Sequence, residues 1–482
     1  MLPMKAILLL AMAASPVNAA GPVLPYPVVD TGQTTCYDNR SETAAPSPGQ
    51  PFAGQDAQHQ GVQPAYQDHG DGTVTDLNTG LMWQKKPADT RSPWNAAQTV
   101  PKSLRLGGHD DWRLPSLKEL YSLMDYGKGW PYIDTKYFDC ALAANAKATQ
   151  FWTSNKYVAP CAGTQQTGFK GVTERAFGVN FATGHIKGYP IEMGNYVRCV
   201  RGNPAYGKND FVDNADQTIT DRATGLTWSK DDSKKGLDWQ EALAWAQAKN
   251  KERYLGHDDW RLPNIKELQS LVDYTRSPGA TDPAINGPAI NPLFHCTPIT
   301  NENKHPDYPF YWSSTSARPG QDSTQLAFAW YVAFGRAGGS RSGADDIHGA
   351  GAVRFDTKVK GGPAGEGGER IYNYVRLVYG GPATTARPVV TQTPAAKAPA
   401  PASSAPTPSN TNPQRLPSAP IIMALDSNGD GIIDADELAK AAEALKALDK
   451  NHDGKLTPDE YRPQMQGRPG GGGGPQRQAP TP

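Results

Sequence analysis

Two short stretches near the C-terminus place oxygen-bearing side chains at spacings that suit a hard cation. In the first, Asp426, Asn428, Asp430, Asp434 and Glu437 stand at positions 1, 3, 5, 9 and 12 of a twelve-residue loop. Gly431 sits at the sixth position, where the backbone must turn sharply, and Ile432 offers its carbonyl at the seventh. The second loop starts 23 residues later and repeats the order with Asp449, Asn451, Asp453, Lys455, Thr457 and Glu460. Lys455 contributes only its carbonyl there, behind Gly454. Calcium takes six to eight oxygens, and both loops supply them in the order that binding needs, so two Ca2+ ions are expected. Asp434 is an acid where its counterpart Thr457 is neutral, so the first loop is expected to bind more tightly.

The segment between the loops must position both. Leu438, Ala441, Ala442, Leu445 and Leu448 form an apolar stripe at helical spacing. One helix would leave the first loop and enter the second. Ile433 and Leu456, each at the eighth position, would join the loops by a short β-bridge. The whole resembles an EF-hand pair over residues 419–464. Residues 381–418 are rich in Ala, Pro, Ser and Thr and read as a linker, and 465–482 read as a disordered tail.

The remaining chain is duplicated. Gly108-His109-Asp110-Asp111-Trp112-Arg113-Leu114-Pro115 recurs 148 residues later as Gly256-His257-Asp258-Asp259-Trp260-Arg261-Leu262-Pro263. Upstream, Thr79-Gly80-Leu81-Met82-Trp83 matches Thr224-Gly225-Leu226-Thr227-Trp228. Downstream, Trp152-Thr153-Ser154 matches Trp312-Ser313-Ser314. Asn195-Tyr196-Val197-Arg198 and Asn373-Tyr374-Val375-Arg376 close the copies. Each copy reads as α+β. A strand hairpin surrounds the Thr-Gly turn, and helices start at the capping boxes Asp238/Glu241, Ser116/Glu119 and Asn264/Glu267. The repeated tryptophans, Trp94 and Trp239 among them, are expected in the core. Arg113 and Arg261 are expected to pair with Asp111 and Asp259. His109 and His257 each lie beside two aspartates, but neither has the second nitrogen or thiolate that zinc needs.

These motifs resemble the DUF1566 family, also called the C-terminal domain of the Legionella collagen-like adhesin, over about residues 65–380. The resemblance implies a surface role, binding of sulfated glycosaminoglycans and a fold similar to C-type lectin-like domains. The expected architecture is therefore α+β: two tandem C-type-lectin-like domains, 21–202 and 203–380, followed by a small all-α EF-hand pair. The partner implied is a glycan or surface polysaccharide.

Copy two carries a polar insertion that copy one lacks. Within it, Asp346, His348, Arg354 and Asp356 are the candidate ligand-binding residues, because long polar loops on a rigid body commonly carry function. No nucleophile elbow, zincin motif, P-loop or dinucleotide fingerprint is present, so a non-enzymatic protein is expected. An enzyme with an unrecognised site in these loops and a purely structural envelope protein are the competing readings.

Composition bounds the rest. The 482 residues exceed one core, and 48 basic residues balance 48 acidic ones, which gives no support to nucleic-acid binding. Residues 1–20 read as a signal peptide, with Lys5, an apolar run from Ala6 to Ala14, and small residues at Val17-Asn18-Ala19. That run is too short to span a bilayer, and export to the periplasm or cell surface is expected. Export permits disulfides. Cys36 with Cys199, and Cys140 with Cys161, are the expected pairs, leaving Cys296 alone.

Overall fold

The computed structural model describes residues 24–127, 129–140, 149–162, 172–318, 326–338, 345–363, 370–381, 424–425 and 440–448. The chain divides into one compact unit over Met1–Thr391 and a second over Gln392–Pro482. The first unit is mostly β, with a few short helices.

Each copy begins with the hairpin that its Thr-Gly turn dictates. Thr73–Asp76 pairs with Leu81–Gln84, and Thr218–Asp221 pairs with Leu226–Ser229. Asp76 accepts the N–H of Asn78, and Gly80 takes φ +69°, the left-handed conformation that suits glycine. The closing segment of each copy returns to the same hairpin, with Val200 opposite Trp83 and Val378 opposite Trp228. Two matching four-stranded sheets result. The tryptophans are core residues: Trp83, Trp152, Trp228, Trp239 and Trp312 are fully buried, and Trp94 is half-buried.

The capping boxes form where the sequence places them. Asp238 and Glu241 start the helix Trp239–Lys251. In copy one, Pro101 interrupts the equivalent stretch, leaving two turns at Trp94–Ala97 and Val100–Ser103. Ser116/Glu119 and Asn264/Glu267 cap the helices Leu117–Ser122 and Ile265–Ser270. Here the expected ion pairs are corrected. Arg113 grips Glu119 with two bonds of 2.6 and 2.5 Å, and Arg261 grips Glu267 with 2.6 and 2.7 Å. Asp111 instead pairs with Arg201, and Asp259 lies at the surface, 3.8 Å from His257. The physical reason is position. The capping glutamate is buried one turn into the helix, within reach of the arginine fork, while both aspartates are exposed.

The two copies share a single sheet. Strands Gln150–Lys156, Arg175–Asn180 and His185–Pro190 of copy one continue into Val353–Thr357, Phe328–Ala333 and Phe310–Ala317 of copy two. The join is antiparallel, at Ile186 opposite Val353. The strand order reads alike from either edge, so the halves relate by an approximate two-fold. Side chains obey it: Lys118 donates to the Ser270 carbonyl at 2.6 Å, and Lys266 donates to the Ser122 carbonyl at 3.0 Å. Each lysine bonds the other copy's equivalent serine, the reciprocity of an isologous interface.

Residues 24–62 precede copy one but pack against copy two. The Gln33 amide bonds both N–H and C=O of Ser316, and Asp56 accepts Thr315 Oγ1 at 2.6 Å. Lys358 lies 4.3 Å from the Trp239 ring and 5.5 Å from that of Tyr37, and burial lowers its pKa to about 7. This crossing corrects the cysteine pairing. No disulfide is formed between any two of the five cysteines. Cys36 sits in a hairpin whose residues Tyr37 and Glu42 contact Lys358 and Arg318 of copy two, while Cys199 belongs to the core of copy one. Cys140 shares Arg198 as a charged neighbour with Cys199, whereas Cys161 lies among Arg175 and Asp346.

Burial lowers the pKa of both Lys118 and Lys266 from 10.5 to about 8. Between those values the unfolded chain binds more protons than the fold, so stability contributed here rises with pH. Lys266→Met removes one such group. The stability advantage of the wild type over this variant should therefore widen from about pH 7 to about pH 9.5, by up to about 1.4 kcal/mol per unit. Denaturant unfolding at both pH values measures it, and an unchanged difference contradicts the depressed lysine.

Candidate functional site

The ligating residues of the two calcium loops, Asp426 to Glu437 and Asp449 to Glu460, lie outside the described residues. The element between them is described as the helix Ala441–Lys446. Ala441, Leu445 and Leu448 are half-buried while Glu443 and Lys446 are exposed, the amphipathic division that the apolar stripe predicts.

The four candidate residues in copy two do not converge on a site. Asp346 is buried and accepts the Tyr157 hydroxyl of copy one and the Gly349 N–H. Burial pushes its carboxyl up to about 6. His348 gives its main-chain carbonyl to Gly188 N–H of copy one. Arg354 and Asp356 are buried in the strand Val353–Thr357, opposite Tyr331 and Ala329. Asp346 and His348 belong to the packing between the copies, and Arg354 and Asp356 to the interior of the sheet that the copies share. The sequence does not mark this burial, because the inserted segment has no periodicity that separates buried from exposed residues.

One residue earlier, the chain reaches solvent. Asp345 borders an open pocket of about 530 Å³ with His305, Tyr308, Arg336, Asn286 and Asp307. Asp345 accepts Asn301 and Asn303 Nδ2 at 3.0 and 2.8 Å and pairs with His305 Nδ1 at 2.5 Å. Asp307 is buried, accepts the Tyr308 and Arg336 N–H groups, and has its pKa raised by burial. Arg336 donates to the carbonyls of Pro306 and Pro278 at 3.0 and 2.7 Å. Among the described residues, no group of three or more His, Cys, Asp or Glu side chains could hold a metal ion.

The repeated Arg of the closing motif is structural. Arg198 bonds the carbonyls of Gln84, Lys85 and Asp139, and Arg376 bonds those of Ser229, Lys230 and His295. They lie over Phe138 and Phe294 at 5.3 and 5.0 Å. A further repeat, Phe138-Asp139-Cys140 and Phe294-His295-Cys296, thus stands in the sequence, and it makes Cys140 the counterpart of Cys296.

The Tyr157 hydroxyl ties two loops of copy two to copy one, since it bonds both Asp346 and Ser277 Oγ, the latter at 2.7 Å. Asp346→Ala should lower stability by about 1–3 kcal/mol, because the buried hydroxyl and the Gly349 N–H lose an acceptor. Combined with Tyr157→Phe, the loss should fall short of the sum of the single losses. Denaturant melts of the two single variants and the double variant measure the coupling; additive losses argue against the contact.

A family model described as the Lcl C-terminal domain matches residues 72–201 and 217–355, and an EF hand model matches 420–442 and 441–462. Comparison with curated proteins and with solved structures gives no match. Copy two extends past the matched region, to the strand Val378–Gly380 that completes its first sheet. The two body matches cover more than half of the 482 residues, and on that ground the chain belongs to the Lcl C-terminal domain family, in two copies followed by an EF-hand region.

Proposed function

We propose that this is an exported calcium-binding protein whose duplicated, adhesin-like and lectin-like body holds a glycan or other cell-surface component. The observation that carries the calcium half is the pair of complete oxygen-ligand loops inside the two EF-hand matches. Glu437 and Glu460 each end a loop, where a carboxylate gives two oxygens to one ion. Asp434 adds a negative charge to the first loop that Thr457 does not add to the second. Calcium outside the cell is abundant, and modules working there bind with dissociation constants on the order of 10⁻⁴ to 10⁻³ M.

The body half rests on family membership and on the distribution of polar loops. Copy one and copy two share sheets, caps and buried arginines, yet the solvent-facing polar pocket borders copy two alone among the pockets described. A scaffold held constant beneath diverged loops is the usual arrangement for recognition. Export rests on the charged and apolar pattern of residues 1–20.

Calorimetric titration of the full chain with calcium should give two ions bound. Glu437→Gln should abolish or strongly weaken one site while the other persists, and Glu460→Gln should do the same to its own loop. A wild-type chain that shows no calcium heat and no calcium-dependent change in helicity refutes the calcium reading.

A further inference from the structure

The two copies share a scaffold, and they differ in length at three loops. Between Tyr274 and Phe294 copy two has 19 residues, against 11 between Tyr126 and Phe138. Between Cys296 and Phe310 it has 13, against 9 between Cys140 and Gln150. Between the strands ending at Ala333 and starting at Val353 it has 19, against 4 between Asn180 and His185. Every residue that lines the 530 Å³ pocket comes from one of these three loops. Pro278 and Asn286 come from the first, His305 and Tyr308 from the second, and Arg336 and Asp345 from the third. Three separate extensions of one copy meet at one place. Scattered drift in loop length would not assemble a wall from all three.

The lining decides what fits. A pocket of this volume is in the range that holds a small ligand or a ligand segment. Asp345 and Asp307 bring two carboxyl groups, while the Arg336 guanidinium is engaged by two proline carbonyls. A sulfated or phosphorylated group would meet two carboxylates, and the charge of Arg336 already faces Asp307, 3.9 Å away. Three donors already converge on Asp345, so a single ammonium would compete with bonds the protein makes itself. A fully apolar ligand would strand these polar groups without partners. Hydroxyl groups suit the site, because each both donates and accepts. Asp345 has four lone-pair sites and uses three, which leaves one acceptor position, and the His305 side chain is 60% exposed at the rim. Proline rings and the half-buried Tyr308 give flat apolar walls on which the C–H face of a sugar ring can rest.

We infer that this pocket of copy two is a binding site for an uncharged, hydroxyl-rich saccharide, with Asp345, His305 and Tyr308 as its contact residues. The inference rests on the glycan reading above and narrows it, since it assigns the ligand to one copy and excludes polyanionic glycans from that pocket.

Affinity electrophoresis of the full-length protein tests it, with dextran, a β-glucan and a mannan as neutral probes and heparin as the sulfated one. At least one neutral polymer should retard the wild type. Tyr308→Ala and Asp345→Asn should each weaken that retardation at least tenfold, Tyr308→Ala with an unchanged melting temperature. Tyr308→Ala carries the comparison alone if Asp345→Asn fails to fold, because no hydrogen bond of the fold depends on the Tyr308 ring among the described residues. Retardation by neutral polymers that both folded variants keep overturns the pocket assignment. Retardation by heparin alone overturns the ligand class and leaves the broader glycan reading standing. No retardation by any polymer overturns both.

Discussion

The fold depends on burying two ammonium groups where its copies meet. Lys118 and Lys266 occupy equivalent positions on helices that touch across the approximate two-fold, and each bonds a carbonyl at the end of the other helix. Neither helix can satisfy its neighbour's lysine unless both copies are in register, because a buried donor without an acceptor costs about 1–3 kcal/mol. A second donor of each is met from elsewhere in the chain: Asn209 from the start of copy two serves Lys118, and the Asp30 carbonyl of the N-terminal segment serves Lys266. The lysine pair therefore ties together both helices, the connection between copies and the leading segment. Hydrophobic burial supplies the bulk of the stability, but it is indifferent to register, and these polar contacts select one.

Beneath that junction the copies repeat the same local solutions. A glutamate that caps a helix also holds an arginine two turns of chain earlier, and the closing arginine staples three carbonyls over a phenylalanine. Arg198 and Arg376 are fully buried without a facing carboxylate in these contacts, so main-chain oxygens carry their charge. Such positions tolerate little change, and it is consistent that copy two departs from copy one in loops and hardly at all in these residues.

Much of this is legible from residues alone, for local reasons. Capping boxes, Thr-Gly turns and calcium loops are short-range chemistry, and Ser116/Glu119, Asn264/Glu267 and Asp238/Glu241 form as their spacing requires. Pairing across long separations is less legible. Arg113 stands beside Asp111 in sequence, yet Glu119 wins because a helix brings it under the guanidinium. The crossing of residues 24–62 onto copy two leaves no periodic mark, and it moves Cys36 away from Cys199. The inserted loop is recognisable as polar, but burial alternates within it. Asp345 faces the pocket and Asp346 faces Tyr157, one residue apart.

That alternation also explains why only copy two grew. In copy one the turn Phe181-Ala182-Thr183-Gly184 is pressed into the junction, where Gly184 has Trp330 of the other copy so close that an added Cβ would stand 2.8 Å from its ring. Its carbonyl accepts the Tyr126 hydroxyl at 2.9 Å, as the Gly351 carbonyl accepts that of Tyr274 at 3.2 Å. Phe334 and Gly351 thus hold the anchor positions of Phe181 and Gly184, with the insertion between them in sequence. Where Trp330 closes the space over copy one's turn, its counterpart in copy one is Phe177, which lies against Gly349 of the inserted loop. The smaller ring leaves room for the loop's root, and Asp346 then fills that room by bonding Tyr157. Lengthening a loop whose ends stay anchored costs little entropy, because closure cost grows only with the logarithm of length. The junction thus fixes one copy's turn as a short plug and permits the other's to extend, and the extension carries Asp345 and Arg336 to the surface beside the two longer loops that meet them.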